Sequence, residues 1–159
     1  MFGKNKVLII LLFACFIFES KESIAANSDD DYHILACTRL MSKDKRLPSL
    51  ECFEHCFLKF VKGNSVLDTR GFFQDAGSVQ ETNIFVGNCI MAKPKASIED
   101  WGKITDAYDK HKPKDYKLLA NNCCSVASEA LEAVIGSKNI PKNISNANSS
   151  IGTRFKKEG

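Results

Sequence analysis

Apolar and polar residues alternate along the segment LECFEHCFLKF, residues 50–60, and the pattern fits two kinds of element. One face of a strand would carry Cys52, Glu54, Cys56, Leu58 and Phe60. A helix would instead gather Leu50, Phe53, Phe57 and Phe60 into one stripe. The Gly63-Asn64 pair that follows lies between two apolar runs and is typical of a two-residue hairpin turn. We therefore favour the strand and keep the helix as the alternative.

Further strands are indicated on both sides of this segment. The run SVLDTRGFF, residues 65–73, is rich in β-branched and aromatic residues, which suits the second strand of the hairpin. A third strand is predicted around Ile84 to Met91. The earlier run HILACTRLM, residues 33–41, fits either a first strand or a helical turn.

A helix is predicted from Ser97 to about Lys110. Ser97 and Asp100 have the spacing of a capping box, and Pro113 ends any continuation. The residues expected to face inward are Ile98, Trp101, Ile104 and Tyr108.

A last helix is predicted from about Cys124 to Ile135, with Gly136 at its C-cap. Its buried face would consist of Val126, Ala127, Ala130, Leu131 and Val134. Residues 137–159 are expected to form a polar tail, of which residues 139–150 would be extended or mobile. These elements together predict an α+β fold, with a small antiparallel sheet packed against helices.

The first 25 residues have the pattern of a secretory signal peptide. A short basic segment precedes the apolar run from Val7 to Phe18, and small residues suited to cleavage follow near Ala25. The run is short for a stable membrane span, although an N-terminal anchor helix is the alternative. We expect residues 26–136 to form the exported domain, secreted or periplasmic, without stable membrane insertion after cleavage.

Charge offers no indication of a nucleic-acid partner. The chain has a formal net charge of +3, and loss of residues 1–25 would remove three lysines and two glutamates, leaving +2. Only the final GTRFKKEG is locally basic, and a short basic terminus is typical of a solvated tail. We expect no nucleic-acid partner, and the sequence does not indicate the oligomeric state.

Cysteine content fits an oxidising compartment. The chain has seven cysteines, of which Cys15 lies in the expected signal peptide. Six cysteines can pair in fifteen ways, yet their density is below that of a disulfide scaffold. A domain of this size can fold without three disulfides, so one thiol can remain free.

Two adjacent cysteines occupy the start of the last helix. Their Cα atoms should be about 3.8 Å apart, closer than the roughly 4.4–6.8 Å of a relaxed disulfide, so Cys123 and Cys124 are expected to have separate roles. Cys123 follows two asparagines that can cap the helix, and a thiol at that position is favoured as the thiolate. The alternative is that Cys123 is half of a disulfide or a core residue.

A nucleophilic thiol requires a base, and the chain has three histidines. His33 lies in an acidic segment and His111 at a charged helix end, whereas His55 is embedded in an apolar element. His55 is therefore the candidate base. A lone histidine in such an element is otherwise structural.

Zinc binding is not favoured. Cys52 and Cys56 form one possible ligand pair, but no familiar second pair accompanies them. The motifs of phosphate loops, serine hydrolases and zinc peptidases are also missing from the sequence. We expect no metal and no cofactor.

The segment YKLLANNCCSVASEAL, residues 116–131, resembles the nucleophile segment of permuted papain-like thiol hydrolases. That group includes the NlpC-like, PPPDE and lecithin:retinol acyltransferase-like proteins. The resemblance implies a permuted papain-like fold, with Cys123 as the nucleophile and the preceding His55 as the base. It also implies hydrolysis of an amide bond in a peptide, isopeptide or cell-wall peptide. This chain departs from the group at Cys56, after the histidine, and at residues 124–126, after the nucleophile.

Asp68 is the candidate for the group that orients the base. Hairpin pairing about Gly63-Asn64 would bring the second strand beside His55, and an acidic residue commonly holds such a histidine. An aspartate in a strand otherwise faces solvent.

The alternative function is a secreted, disulfide-stabilised binding protein without enzymatic activity. In that case all six cysteines would be paired, and the freshly isolated protein would have no reactive thiol.

Overall fold

The computed structural model describes residues 31–40, 54–81, 87–117 and 120–155. These residues form an antiparallel sheet and three α-helices, as the sequence predicts for an α+β fold. The strands are β1 (Tyr32–Leu40), β2 (Glu54–Lys62), β3 (Ser65–Phe73), β4 (Gly77–Val79) and β5 (Asn88–Ala96). The helices are α1 (Ile98–Asp109), α2 (Cys123–Ile135) and α3 (Lys142–Phe155), with 3₁₀ turns at Pro113–Asp115 and Ser137–Asn139.

Strand β2 lies at the centre of the sheet, whose order is β4-β3-β2-β1-β5. Its seven inner residues are buried, on both faces of the sheet. The strand interpretation is therefore confirmed for residues 54–62, while residues 50–53 lie outside the described part. Lys62 pairs with Ser65, and Gly63 has a φ of 52° in the turn, so the hairpin is also confirmed.

The first and last strands are neighbours in space although they are distant in sequence. The segment that begins at His33 is part of strand β1 and not a helical turn. Strand β5 runs from Asn88 to Ala96, further along the chain than the predicted third strand, and pairs antiparallel with β1. The start of the predicted third strand, residues 84–86, lies outside the described part.

Helix α1 has the predicted capping box. The Ser97 hydroxyl accepts from the backbone of Asp100, and the Asp100 carboxylate accepts from the backbone of Ser97. Trp101, Ile104 and Tyr108 are buried as expected. Ile98 is 68% exposed, so its predicted inward position is wrong and the buried stripe begins one turn later.

Helix α2 begins one residue before the predicted start. The Asn122 side chain accepts hydrogen bonds from the backbone N–H groups of Cys124 and Ser125, at 2.8 and 3.0 Å, which places Cys123 in the first turn. Gly136 has a φ of 76° and ends the helix, as predicted. Of the predicted buried face, Val126, Ala127, Ala130 and Leu131 are buried and Val134 is half-buried.

Residues 142–155 form helix α3, so the extended tail predicted there is wrong. Two residues at helical spacing, Ile144 and Ala147, are buried in the core. The Asn143 amide donates to the carbonyl oxygen of Ala36 in β1, at 2.8 Å. The segment has few apolar residues, and its helix is therefore stabilised by the tertiary contacts rather than by a strong local pattern.

The core lies between the sheet and the helices. Strands β1, β2 and β3 contribute apolar side chains that pack against those of α1, α2 and α3. Among the described residues, none of the helices has the length and apolar character needed to cross a membrane.

Gly71 in β3 provides a test of the packing beside the predicted base. A Cβ atom at Gly71 would lie 2.9 Å from Cε2 of Phe73 and 3.1 Å from Nε2 of His55. Gly71→Ala should therefore lower the free energy of unfolding by about 1–3 kcal/mol, the usual cost of overpacking. Urea unfolding followed by circular dichroism measures this change.

Gly102→Ala is the matched control, because a Cβ atom at Gly102 in α1 would have no neighbour within 4 Å. It should leave the stability unchanged or raise it by up to about 1 kcal/mol, since alanine favours helix. Equal destabilisation by the two substitutions would contradict the close packing at Gly71.

Candidate active site

Cys123 occupies the first position of α2, where backbone N–H groups lack acceptors within the helix. Its side chain is 3% exposed. Among the cysteines of the described segments, it is the one outside a disulfide. The Asn122 cap therefore positions a free thiol at the positive end of a helix, where the thiolate is favoured.

His55 brings a base to this thiol from strand β2. Its imidazole is 1% exposed and forms a hydrogen bond with the Cys123 side chain. The other side of the ring contacts Glu81, with 3.1 Å between His55 Nε2 and Glu81 Oε2. The Nε2–H bond does not point straight at that oxygen, so this contact is an ion pair rather than an aligned hydrogen bond. Because Nε2 faces Glu81, Nδ1 is the nitrogen left for the thiol.

Cys123 and His55 each shift the pKa of the other. Burial alone raises the pKa of the Cys123 thiol, but the hydrogen bond and charge of His55, together with the backbone N–H groups of Cys56 and Cys124, outweigh burial, and the net pKa is lowered. Burial likewise lowers the pKa of His55, but the hydrogen bond to Cys123, the contact with Glu81 and the charge of Cys123 together outweigh burial, and the net pKa is raised. Both shifts favour a thiolate–imidazolium pair.

Glu81 holds the third position of the site. Its side chain is buried and lies 3.1 Å from a guanidinium nitrogen of Arg39 as well as from His55. The Thr69 hydroxyl donates to the main-chain oxygen of Glu81 at 2.9 Å, which ties this residue to β3. Sequence reasoning missed Glu81, because it follows a three-residue strand and no local pattern marks it as buried.

Asp68, the residue predicted to orient His55, lies elsewhere. Phe60 pairs with Asp68 and Phe57 with Gly71, so the register places Asp68 towards the other end of the hairpin from His55. The Asp68 carboxylate instead accepts a hydrogen bond from the Trp101 indole at 2.9 Å. The prediction of a hairpin was correct, but the assumed register was wrong.

Two tyrosines also contribute to the surroundings of Cys123. Burial, the charge of Cys123 and a hydrogen bond to it raise the pKa of Tyr116. Burial and the charge of Cys123 raise the pKa of Tyr108 well above its usual value. Both hydroxyls therefore remain protonated near neutral pH, and that of Tyr116 is a donor beside the sulfur. Tyr116 belongs to the segment that carries the resemblance, but sequence reasoning assigned it no role.

The neighbour of the free thiol is in a disulfide. Cys124 is bonded to Cys56 while Cys123 is free, which agrees with the expectation that the two adjacent cysteines have separate roles. A second disulfide joins Cys37 of β1 to Cys89 of β5. The remaining cysteine of the expected domain, Cys52, lies outside the described part.

The site differs in exposure from the predicted cleft. The sequence-based hypothesis places His55 in a cleft rather than a sealed core, whereas His55 and Cys123 are both buried. Burial excludes water and strengthens the electrostatic interactions between these groups. The described residues contain no cluster of three or more His, Cys, Asp or Glu side chains suited to a metal ion.

Comparisons of the chain with protein-family models, with curated proteins and with solved structures found no match.

Glu81→Gln tests the role of the buried carboxylate. Loss of its charge should lower the pKa of His55 and thereby raise the pKa of Cys123. We expect the pH midpoint of iodoacetamide alkylation at Cys123 to rise by about one unit relative to the wild type. At a pH below the midpoints of both proteins, the variant should then be alkylated roughly tenfold more slowly. Peptide mapping by mass spectrometry measures alkylation at this cysteine.

Asp68→Asn is the control for this experiment, because it removes a carboxylate of the same sheet that contacts Trp101 and not His55. Its alkylation midpoint should equal that of the wild type. A shift in Asp68→Asn without one in Glu81→Gln would reverse the assignment of the third group.

Proposed function

We propose that the protein is an exported cysteine hydrolase of the permuted papain-like kind, which cleaves an amide bond through Cys123 and His55. The observation that carries this proposal is the hydrogen bond between a free thiol of lowered pKa and a histidine of raised pKa. Glu81, in contact with Nε2 of that histidine, orients the ring for the reaction. A nucleophile, a base and an orienting acidic group are the parts of a thiol hydrolase.

The first half of the reaction follows from these positions. The Cys123 thiolate attacks the carbonyl carbon of the substrate, and a tetrahedral oxyanion forms. The positive end of α2 and the Tyr116 hydroxyl, a donor beside the sulfur, stabilise the negative charge. The carbon–nitrogen bond then breaks, His55 gives its proton to the leaving amine, and a thioester remains on Cys123.

The second half of the reaction releases the acid. Neutral His55 takes a proton from water, whose oxygen attacks the thioester carbonyl. The carbon–sulfur bond breaks, and the product acid and the Cys123 thiolate form. The imidazolium that remains restores the starting ion pair.

Export is supported by two independent observations. Residues 1–25 have the pattern of a signal peptide, and the described segments contain two disulfides. Disulfides persist in secreted and periplasmic proteins and are rare in the cytosol. A periplasmic or extracellular location would suit a peptide or cell-wall peptide as the substrate, and the resemblance to permuted papain-like hydrolases supports an amide.

Hydrolysis by the purified mature protein tests the proposal. Its substrates should be a casein digest, an isopeptide and cell-wall peptides, with release of new amino groups as the measurement. Cys123→Ala and His55→Ala should each lower the hydrolysis rate by at least about a hundredfold, because general acid–base catalysis alone contributes that much. The wild-type rate should fall at low pH as Cys123 protonates and at high pH as His55 loses its proton.

His33→Asn is the matched control. His33 is a second buried histidine, whose Nδ1 accepts from the backbone of Lys95 at 3.3 Å, and an asparagine oxygen can replace that acceptor. This variant should hydrolyse at the wild-type rate. An absence of hydrolysis on every substrate, together with no reactive thiol in unreduced protein, would favour the disulfide-stabilised binding protein.

A further inference from the structure

The two proposed catalytic residues, His55 and Cys123, form a dyad, and each is directly followed in sequence by one cysteine of the Cys56–Cys124 disulfide. Cys56 follows His55 in strand β2, and Cys124 follows Cys123 in helix α2. Both disulfide cysteines are fully buried, and their Cα atoms are 4.7 Å apart. The disulfide therefore links helix α2 to strand β2 directly beside His55 and Cys123, the two residues whose side chains have to be in contact.

The direction of the side chains makes this attachment important. Successive residues of a strand point to opposite faces, so His55 and Cys56 leave β2 on opposite sides. Cys56 lies in the core beneath α2, while His55 faces away from it. The Cys123 thiol can reach His55 only if the first turn of α2 stays close to this part of β2.

The same bond brings two backbone donors to the sulfur. The backbone N–H groups of Cys56 and Cys124 both help to lower the pKa of the Cys123 thiol, and the N–H group of Cys124 also donates to the Asn122 side chain. One donor belongs to the strand and the other to the helix, and the disulfide joins the two residues that carry them. A separation of helix and strand would remove the donor of Cys56 as well as the contact with His55.

We propose that the Cys56–Cys124 disulfide is a positioning device for the Cys123–His55 dyad, so that thiolate reactivity depends on this bond being oxidised. A dithiol such as dithiothreitol would supply two electrons and two protons and become a cyclic disulfide. Cys56 and Cys124 would become thiols, while the bonds of Cys123 stay unchanged. Reduction should then lower the reactivity of Cys123, the opposite of the usual activation of thiol enzymes by reductants.

The free sulfur and the disulfide can coexist at short range. The Sγ atoms of Cys123 and Cys124 are 3.9 Å apart. Attack by Cys123 at that sulfur would release Cys56 and join two adjacent residues, whose Cα separation of about 3.8 Å is below the relaxed disulfide range. The geometry of adjacent residues therefore disfavours exchange at the Cys124 sulfur, which is the sulfur 3.9 Å away.

The matched control is the Cys37–Cys89 disulfide. It joins β1 to β5, strands that already pair with Cys37 opposite Cys89. Its sequence separation of 52 residues is similar to the 68 of the other disulfide. Loss of either bond should therefore relax the unfolded chain to a similar extent.

The experiment compares Cys56→Ala/Cys124→Ala with Cys37→Ala/Cys89→Ala. Alanine is used because three of the four positions are buried and Cys89 is half-buried, so that a serine hydroxyl there would add a separate cost. The readout is the pH midpoint of iodoacetamide alkylation at Cys123, which reports the thiolate fraction even if access to the buried thiol changes. Thermal unfolding is measured alongside.

In Cys56→Ala/Cys124→Ala we expect the midpoint to rise by about one unit, with roughly tenfold slower alkylation below both midpoints. Cys37→Ala/Cys89→Ala should lose thermal stability but keep the wild-type midpoint. Equal midpoints in the two variants, whether shifted or not, would overturn the proposal. If Cys56→Ala/Cys124→Ala does not fold, wild-type protein is treated with dithiothreitol below its unfolding temperature until mass spectrometry shows that the buried Cys56–Cys124 disulfide is reduced, and the reagent is then removed. An unchanged midpoint in that reduced protein would overturn the proposal.

The consequence for turnover rests on the proposed function, but alkylation needs no substrate. A midpoint that shifts in Cys56→Ala/Cys124→Ala, in a protein that hydrolyses nothing, would retain the positioning role and reject the hydrolase. Hydrolysis by the wild type, with equal midpoints in both variants, would retain the hydrolase and reject the positioning role.

Discussion

The contact between the Cys123 thiol and the His55 imidazole is the interaction on which the arrangement of the surrounding residues depends. Both side chains are buried, and a charge moved from water into a protein interior costs several kcal/mol unless it is paired. The pKa shifts of Cys123 and His55 favour a thiolate–imidazolium pair, and such a buried pair requires further groups to compensate its charges. The donors at the sulfur and the carboxylate beside the ring provide that compensation.

The compensation extends over four groups of alternating charge. The Cys123 thiolate contacts His55, His55 contacts Glu81, and Glu81 contacts Arg39. Each charge has an opposite charge next to it, and the four sum to zero. A loss of one member leaves its neighbour buried without an opposite charge, so the group should behave as a unit rather than as independent pairs.

These four residues come from distant parts of the chain. Arg39 lies on β1, His55 on β2, Glu81 just after β4 and Cys123 at the start of α2. The sheet sets the relative positions of the first three, and the packing of α2 against β2 and β3 brings the fourth to them. The site thus depends on the whole arrangement of sheet and helices, and the Cys56–Cys124 disulfide links two of its elements, β2 and α2.

Local signals determined much of this protein from sequence alone. The Gly63-Asn64 turn, the Ser97 capping box and the Asn122 cap each act within a few residues, and all three were readable from the chain. The chemical candidates His55 and Cys123 were also recognisable, because a histidine in an apolar strand and a cysteine at a helix start are local features.

The tertiary structure alone decided which residues meet. Glu81 rather than Asp68 accompanies His55, because a hairpin signal predicts a turn but not the register of the pairing or the path of the chain after β4. Cys56 bonds to Cys124, one of fifteen pairings that spacing could not distinguish. Helix α3 forms because Ile144 and Ala147 find a core supplied by other elements. Each of these outcomes depends on contacts between residues far apart in sequence, whereas secondary-structure propensity reflects only neighbouring residues and carries no information about such contacts.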